Sequence, residues 1–292
     1  MPVLITDTSA IPRAGASGEF PLFFSSAGRP LYGVFHPARA GFSKDRVLVF
    51  CHTIGTEHML TQRIEALAAR LAANAGFAAF RYNARAHGDS AGEPRDLTFA
   101  DLVDDASAAA DMARELSGAS SVIWVGLRFG SLIAAEAVGR RDDAGAFALW
   151  EPVHRGADYF RSMMRATFFT HVAKGRRPGG SVDDMREQLE RDGELPVVAG
   201  YIYRALYCSA KEADLGRSLK WAGDTLIAQV QRRPKLSPNN ERLKSEIQQR
   251  GGKVTAVLIT REPAWNMLPL THPQWTSDAL LTATKEWLHG LE

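Results

Sequence analysis

The chain has 292 residues, of which 45% are hydrophobic and 23% charged, and its formal net charge at pH 7 is +2. This length and composition fit a large α/β domain with a sizeable core, and the charge gives no reason to expect a nucleic-acid or membrane partner. The two cysteines have no CxxC spacing and no metal-ligand neighbours, so we expect a reduced, cytoplasmic setting without a metal or cofactor.

The N-terminal segment predicts a flexible arm over residues 1–18, which are rich in Pro, Gly, Ala and Ser. It lacks the basic and apolar segments of a secretory signal, and no apolar run in the chain approaches the roughly 18 residues that cross a membrane. Residues 20–26 and 31–36 predict two strands, and Gly28 and Pro30 between them indicate a hairpin.

Strands and helices then alternate four times between residues 47 and 153. Predicted strands cover residues 47–51, 77–82, 122–125 and 147–150, and predicted helices cover 60–71, 99–116 and 132–138. Thr98 and Asp101 form an acidic variant of the capping box before the second of these helices. Right-handed crossovers between such units predict a mostly parallel sheet with helices on both faces, and ligands bind beyond the carboxyl ends of its strands.

The alternation breaks after residue 153. Met, Phe, Tyr and Arg are frequent there, and helical spacing recurs in "ADYFRSMMRATFFTHV" and "GYIYRALYCSAKEA". We predict a helical cap over the loops at the strand ends, after which the sheet resumes with strands at 225–230 and 254–259. The predicted organisation is an arm (1–18), a core in two parts (19–153 and 223–292) and a cap insertion (154–222).

Three segments carry a resemblance to the α/β-hydrolase superfamily. "VFCHTIGTEH" resembles its third strand and oxyanion loop, "FRYNARAHGDSAG" is similar to its R-G-H-G-x-S loop, and "VGLRFGS" lies where the nucleophile elbow G-x-S-x-G belongs. The "GLRxG" elbow followed by "WEPV" also resembles the exosortase A system-associated hydrolases of the second type. The order of predicted strands and helices resembles that of the superfamily over residues 19–290. It implies an eight-stranded α/β-hydrolase fold with a cap after the sixth strand, and an activity on esters or thioesters.

The catalytic groups that this resemblance implies are largely missing. Arg128 stands in place of the nucleophilic serine, and the segment "QRRPKLSPN", where the acid should follow the seventh strand, has no Asp or Glu. His272, with Trp275 close by as a candidate ligand contact, follows the last strand at the position of the histidine. A guanidinium has no free lone pair to offer, so Arg128 cannot form an acyl-enzyme.

Arg128 can instead hold an anion, because the elbow directs its side chain into the pocket and the next helix adds the positive end of its dipole. Two partners remain open: Glu151 at the end of the adjacent strand, in a buried ion pair, or a bound carboxylate or phosphate. The resemblance also implies backbone oxyanion donors at His52 or Thr53 and at Phe129. The His52 side chain either contacts a ligand or packs within its loop.

Arg85 and Ser90 are further candidate ligand contacts, although the resemblance implies a bracing role for their loop.

The sequence supports two main hypotheses about function. The first is a degenerate hydrolase that binds an anionic or acyl small molecule under the cap without serine-type turnover. The second is an active ester or thioester hydrolase, or an acyltransferase, with a rearranged site of His272, Glu151 and Arg128. A third hypothesis is an interaction module whose cap surface contacts a protein partner.

Overall fold

Eight strands form the main sheet of the computed structural model, which describes residues 18–39, 43–173, 180–198, 200–231, 234–260 and 278–291. The strands, including two outside the main sheet, are β1 (Phe20–Ser26), β2 (Arg29–His36), β3 (Arg46–Cys51), β4 (Ala78–Tyr82), β5 (Ser121–Leu127), β6 (Ala144–Trp150), β7 (Glu194–Val197), β8 (Gly200–Tyr203), β9 (Thr225–Val230) and β10 (Val254–Ile259). The sheet order is β1-β2-β4-β3-β5-β6-β9-β10. Strand β2 runs antiparallel to β1 and β4, and all other neighbours are parallel.

Helices cover both faces of this sheet. They are α1 (Gly55–Asn74), α2 (Phe99–Ser117), α3 (Gly130–Val138), α4 (Gly156–Ala173), α5 (Val182–Asp192), α6 (Arg204–Ala210), α7 (Leu215–Ser218), α8 (Pro238–Gln249) and α9 (Asp278–His289). One apolar core contains buried residues of α2 and α3, and a second core, on the other face, contains those of α1 and α9. The predicted α/β fold, with a mostly parallel eight-stranded sheet and helices on both faces, is therefore confirmed.

The capping box predicted at the start of α2 is also present. The Thr98 hydroxyl accepts a hydrogen bond from the Asp101 amide at 3.2 Å, and the Thr98 amide donates to the Asp101 carboxylate at 2.9 Å. Gly118 ends the helix in the left-handed region with φ of 72°. Local sequence signals thus determine both ends of α2.

The stretch between β6 and β9 contains helices α4 to α7 and the antiparallel hairpin β7–β8. The hairpin corrects one prediction, because the helical spacing in "GYIYRALYCSAKEA" holds only from Arg204 onward. Before that point Tyr201 is exposed while Ile202 is buried, which is the alternation of a strand. Strand β8 pairs with β7, for which the sequence analysis predicts no strand. This pairing overrides the local helical pattern.

Two predicted regions fall outside the described residues: the N-terminal arm up to residue 17, and the loop 261–277 after β10. Within the described ranges, none of the helices combines the length and the apolar character needed to cross a membrane.

Two glycines allow the turn from β5 to α3 to pack tightly against the end of β3. A Cβ atom on Gly130 would lie 1.9 Å from the carbonyl oxygen of Cys51, and one on Gly126 would lie 2.7 Å from the Cα atom of Ser131. Real Cβ atoms do not approach backbone so closely, so a side chain at either position would force the backbone apart. The glycine spacing of the "GLRFG" motif is therefore a packing requirement of this fold.

Replacing Gly130 by alanine tests this requirement. We expect Gly130→Ala to lower the free energy of unfolding by about 2 kcal/mol or more, because the clash is with backbone that cannot rotate away. Gly139→Ala is the matched control, since its Cβ would meet only ordinary contacts from 3.5 Å, and we expect it to stay within about 1 kcal/mol of the parent. Urea unfolding measures both variants, and equal stabilities would contradict the account.

Candidate active site

The turn between β5 and α3 has the backbone conformation of a nucleophile elbow, although Arg128 stands at its tip. Arg128 has φ of +52°, a left-handed value that a side chain rarely adopts. Its amide donates to the Trp150 carbonyl at 3.0 Å, and its own carbonyl accepts from the Ser131 amide at 3.0 Å. Such a conformation costs roughly 1–3 kcal/mol and persists only where the surroundings impose it. The elbow is thus fully formed without a serine.

The carboxylate beside Arg128 belongs to Glu57, in the first turn of α1. Arg128 Nη2 donates to Glu57 Oε1 at 3.1 Å. The other oxygen, Oε2, accepts from the Thr53 hydroxyl at 2.8 Å and from the Tyr159 hydroxyl at 3.0 Å. We name these four residues, Thr53, Glu57, Arg128 and Tyr159, the elbow cluster. It connects the oxyanion loop, α1, the elbow and α4 through one buried carboxylate, which is 7% exposed.

Of the two partners left open for Arg128, the Glu151 carboxylate forms no ion pair with it among the described residues, where Arg128 pairs with Glu57 instead. Glu151 also has a left-handed backbone, with φ of +46°, and its amide donates to the Ala228 carbonyl at 2.7 Å. Its carboxylate accepts a hydrogen bond from the Val230 amide, at the end of β9. These bonds direct Glu151 toward β9. Glu57, which sequence reasoning did not consider, supplies the counter-charge instead. The only sequence signal for it was a carboxylate within the oxyanion loop "HTIGTEH".

The elbow cluster contains a charged guanidinium and a protonated phenol at neutral pH. Burial by itself lowers the pKa of Arg128, but the nearby Glu57 and Tyr159 outweigh this effect, and the pKa is raised overall. Burial, followed by the Glu57 carboxylate, raises the pKa of Tyr159 well above its ordinary value. Neither group changes its protonation state near neutral pH. The cluster is therefore a fixed arrangement of donors around Glu57.

Two backbone amides flank Arg128 without an acceptor among the described residues. They belong to Thr53, in the loop after β3, and to Phe129, the residue after the elbow tip. These are the positions at which the resemblance places the oxyanion donors. Since both donors are backbone groups, replacement of the elbow serine leaves them in place.

The side chain of His52 is held between its own loop and the loop after β4. Its Nε2 accepts from the Ala84 amide at 3.0 Å, so in the neutral ring Nδ1 carries the proton and donates to the Thr53 carbonyl at 2.6 Å. Burial, together with His58 and His87, lowers the pKa of His52 well below its ordinary value. Of the two alternatives for this side chain, the structure shows packing, here between two loops, with both ring nitrogens bonded to backbone groups.

Arg85 and Ser90 are likewise occupied by internal hydrogen bonds. The Arg85 guanidinium forms an ion pair at 2.7 Å with Asp105, whose side chain is fully buried, and the Arg85 amide donates to the same carboxylate at 2.8 Å. The Ser90 hydroxyl donates to the Asn83 carbonyl at 2.6 Å and accepts from the Tyr32 amide at 2.9 Å. These bonds brace the loop after β4 against α2 and β2.

The remaining candidates cannot all be placed. His272 and Trp275 lie outside the described residues. After β9, where the acid of a hydrolase would stand, the structure has an amide network: Gln229 Oε1 accepts from Asn240 Nδ2 at 2.6 Å, and Asn240 Oδ1 contacts His154 Nε2 at 2.7 Å. Among the described residues, no group of three or more His, Cys, Asp or Glu side chains is arranged to hold a metal ion.

A double-mutant cycle tests the ion pair at the elbow. We expect Arg128→Met and Glu57→Gln each to lower the free energy of unfolding by about 3 kcal/mol, because each leaves its buried partner without compensation. The double variant should lose less than the sum of the two, with a coupling energy of about 2 kcal/mol. The exposed pair Arg242–Glu246 is the control, and we expect no measurable coupling between its members. Equal coupling energies in the two cycles would contradict the buried pair.

Solved structures with the same fold include several esterases. Est1E from Butyrivibrio proteoclasticus, in its complex with ferulic acid, aligns with a TM-score of 0.65 and 15% identity, over 92% of this chain and 98% of that one. An esterase of Pyrococcus furiosus aligns with a TM-score of 0.61 and 12% identity, over 94% and 91% of the two chains. Mouse alpha/beta hydrolase domain-containing protein 10 gives 0.60 and 13%, over 94% and 100%. At these identities the likeness shows the fold alone.

Sequence comparison identifies the family. Among curated proteins, none matches this sequence. The family model described as serine aminopeptidase, S33, matches residues 43–232, which contain the oxyanion loop, the elbow and Glu151. The predicted membership of the α/β-hydrolase superfamily is thereby confirmed, and the chain belongs to the serine aminopeptidase S33 family of α/β-hydrolases.

Proposed function

We propose that this α/β-hydrolase-fold protein binds a small carboxylate or acyl compound at the elbow without serine-type turnover. The observation that carries the proposal is the position of Arg128, which occupies the elbow tip in the left-handed conformation of a nucleophile. The guanidinium cannot attack a carbonyl, but it can donate several hydrogen bonds to one.

Neighbouring hydroxyl and thiol groups do not replace the missing serine. The Ser131 hydroxyl donates to the Gly126 carbonyl at 3.0 Å, and the Thr53 hydroxyl donates to Glu57. Burial raises the pKa of the Cys51 thiol to about 12, so the thiolate that would act as a nucleophile is not available at neutral pH. These groups serve the packing of the site rather than covalent chemistry.

Arg128 retains donors for a ligand even though it is paired with Glu57. Its Nη2 donates to Glu57, whereas its Nε is buried without an acceptor among the described residues. The amides of Thr53 and Phe129, which also have no acceptor in the described part of the chain, are further donors of the elbow region. A carboxylate or acyl carbonyl oxygen placed among them would satisfy groups whose burial is otherwise costly.

The pairing with Glu57 also predicts which anion is preferred. Glu57 balances the charge of Arg128, so the elbow cluster has no net charge to attract a strongly charged ligand. Recognition then depends on directed hydrogen bonds, which favour a monocarboxylate or a neutral carbonyl over a doubly charged phosphate. A predicted cap over residues 154–222 would enclose the apolar part of the ligand.

An active hydrolase with a rearranged site is the second candidate, and one observation favours it. Burial raises the pKa of Glu151, while the Val230 amide and Arg128 act against the rise. A carboxyl group with a raised pKa and a left-handed backbone, close to the elbow, has features of a general acid. This route requires His272 as the base, and the narrower resemblance to the exosortase-associated hydrolases belongs to the same hypothesis.

Ligand binding and turnover together test the proposal. We expect octanoate and ferulate to bind more tightly than octyl phosphate in calorimetric titrations. The double variant Arg128→Met/Glu57→Gln, which removes the guanidinium without leaving a buried charge, should weaken carboxylate binding by about tenfold or more, the loss of one charge-assisted hydrogen-bonded group. The exposed pair variant Arg242→Met/Glu246→Gln is the matched control and should bind like the parent.

The alternative gives a different result in a panel of esters and thioesters. The proposal predicts no turnover and no adduct with a fluorophosphonate probe. Turnover that is abolished by both Glu151→Gln and His272→Ala would reject it in favour of the rearranged hydrolase.

A further inference from the structure

A cavity of about 490 Å³ lies between α1, the β1–β2 hairpin and the end of β4. We name it the α1 cavity. Its polar lining includes His58, Gln62, Glu65, Arg81, Asn83 and Asp89, and it shares no residue with the elbow cluster. A volume of this size suits a small molecule.

Glu65 is a buried carboxyl group of this cavity, and among the described residues no cationic group lies within ion-pair distance of it. It is 3% exposed, and the Thr61 hydroxyl contacts it only at a long 3.4 Å. Arg81 is engaged elsewhere, because its Nε donates to His36 Nε2 at 3.1 Å and its Nη2 lies 3.7 Å from Glu19. Burial raises the pKa of Glu65 to about 8, with Arg81 and Thr61 opposing the rise. A cation beside this carboxyl would remove the cost of its burial.

His58 contributes a buried donor that lacks an acceptor. The Gln62 side-chain amide donates to His58 Nε2 at 3.2 Å, so in the neutral ring the proton is on Nδ1. Nδ1 is buried and forms no hydrogen bond of normal geometry among the described residues, although the Asn83 side chain raises the pKa of the ring against the effect of its burial. The residue is 4% exposed. Its orientation is fixed by packing on His52, with ring centroids 4.0 Å apart. An oxygen acceptor in the cavity would complete this group.

The charges around the cavity favour a cationic occupant. Arg81 is the guanidinium of this cavity, and it acts both on Glu19, which also pairs with Arg70, and on Glu65. Asp89 is exposed at the cavity without an ion pair in the described part of the chain. The described lining thus has three carboxyl groups, those of Glu19, Glu65 and Asp89, against one guanidinium. A ligand that satisfies Glu65, Asp89 and His58 needs an ammonium group and an oxygen.

We propose that the α1 cavity is a binding site for a small amine that also carries an oxygen acceptor. The ammonium group lies against Glu65 and Asp89, and the oxygen accepts from His58 Nδ1. The site is separate from the elbow, so its occupancy does not depend on the function proposed there.

Three probes of equal size separate the contributions of the two ligand groups. 4-Amino-1-butanol has both groups, pentylamine lacks the oxygen, and 1-pentanol lacks the ammonium. We expect the aminoalcohol to bind most tightly and pentanol to bind at least about tenfold more weakly, measured by NMR titration of the whole chain. Equal affinities of the aminoalcohol and pentanol would overturn the proposal.

The pH dependence identifies Glu65 as the ammonium partner. The groups that influence Glu65 are Thr61 on α1, Arg81 and Tyr82 on β4, and Cys51 on β3. The other titratable groups of the cavity are His58 on α1, Glu19 on β1 and Asp89 after β4. His36 on β2 contacts Arg81. His36 and His58 have pKa values of about 4, Cys51 of about 12, and the pKa of Tyr82 is raised well above its ordinary value. These four groups keep one protonation state between pH 6 and pH 9, a range in which an alkylammonium also stays protonated.

Binding of the ammonium therefore competes with the proton on Glu65. Affinity for the aminoalcohol should rise by up to about tenfold per pH unit between pH 6 and pH 8, and then level off. Glu65→Gln keeps the shape of the side chain and should remove the rise, and Asp89→Asn, at an exposed position, should weaken binding by about threefold or more. Asp104→Asn, also exposed, is the control and should bind like the parent. A flat pH profile in the parent chain, or full affinity in Asp89→Asn, would overturn the assignment.

Discussion

The buried ion pair between Arg128 and Glu57 is the interaction on which the elbow of this protein depends. An arginine at the tip of the turn places a positive charge in a site that is largely closed to water, and such a charge persists only with a compensating group. Glu57 provides the compensation at 3.1 Å, and Thr53 and Tyr159 satisfy the other carboxylate oxygen. Arg128 is therefore one of four mutually dependent residues rather than an isolated replacement.

The backbone of the elbow, in contrast, does not depend on the identity of that side chain. Gly126 and Gly130 allow the turn to pack on Cys51, and the left-handed conformation of Arg128 is held by bonds to the Trp150 and Ser131 backbone. The amides of Thr53 and Phe129 are available for the same reason. The proposed function rests on this separation between backbone and side chain, because the backbone donors do not depend on which side chain stands at position 128.

Sequence periodicity predicted the elements whose stability comes from local pattern and apolar burial. The strand–helix alternation, the hairpin of β1 and β2, and the capping box at Thr98 could all be predicted from the sequence, because each is specified within a few neighbouring residues. Contacts between residues that are distant in the sequence could not be predicted in this way. Glu57 and Arg128 are 71 positions apart in the sequence. Glu151, at the end of the strand next to the elbow, is the more obvious partner from the sequence, but the hydrogen bond from the Val230 amide directs its carboxylate toward β9. The hairpin β7–β8 was missed for the same reason, since pairing between its strands decides its conformation.

The availability of Arg128 to an anion can be observed directly by NMR of the chain labelled with ¹⁵N-arginine. The Nε–H signal of Arg128 is assigned by its absence in Arg128→Met/Glu57→Gln, and Arg85, which is paired with Asp105, serves as an internal reference. On addition of octanoate, we expect a saturable shift of the Arg128 signal with no change at Arg85. Saturable octanoate binding that leaves the Arg128 Nε–H signal in place would show that the elbow does not present a cation to a bound carboxylate.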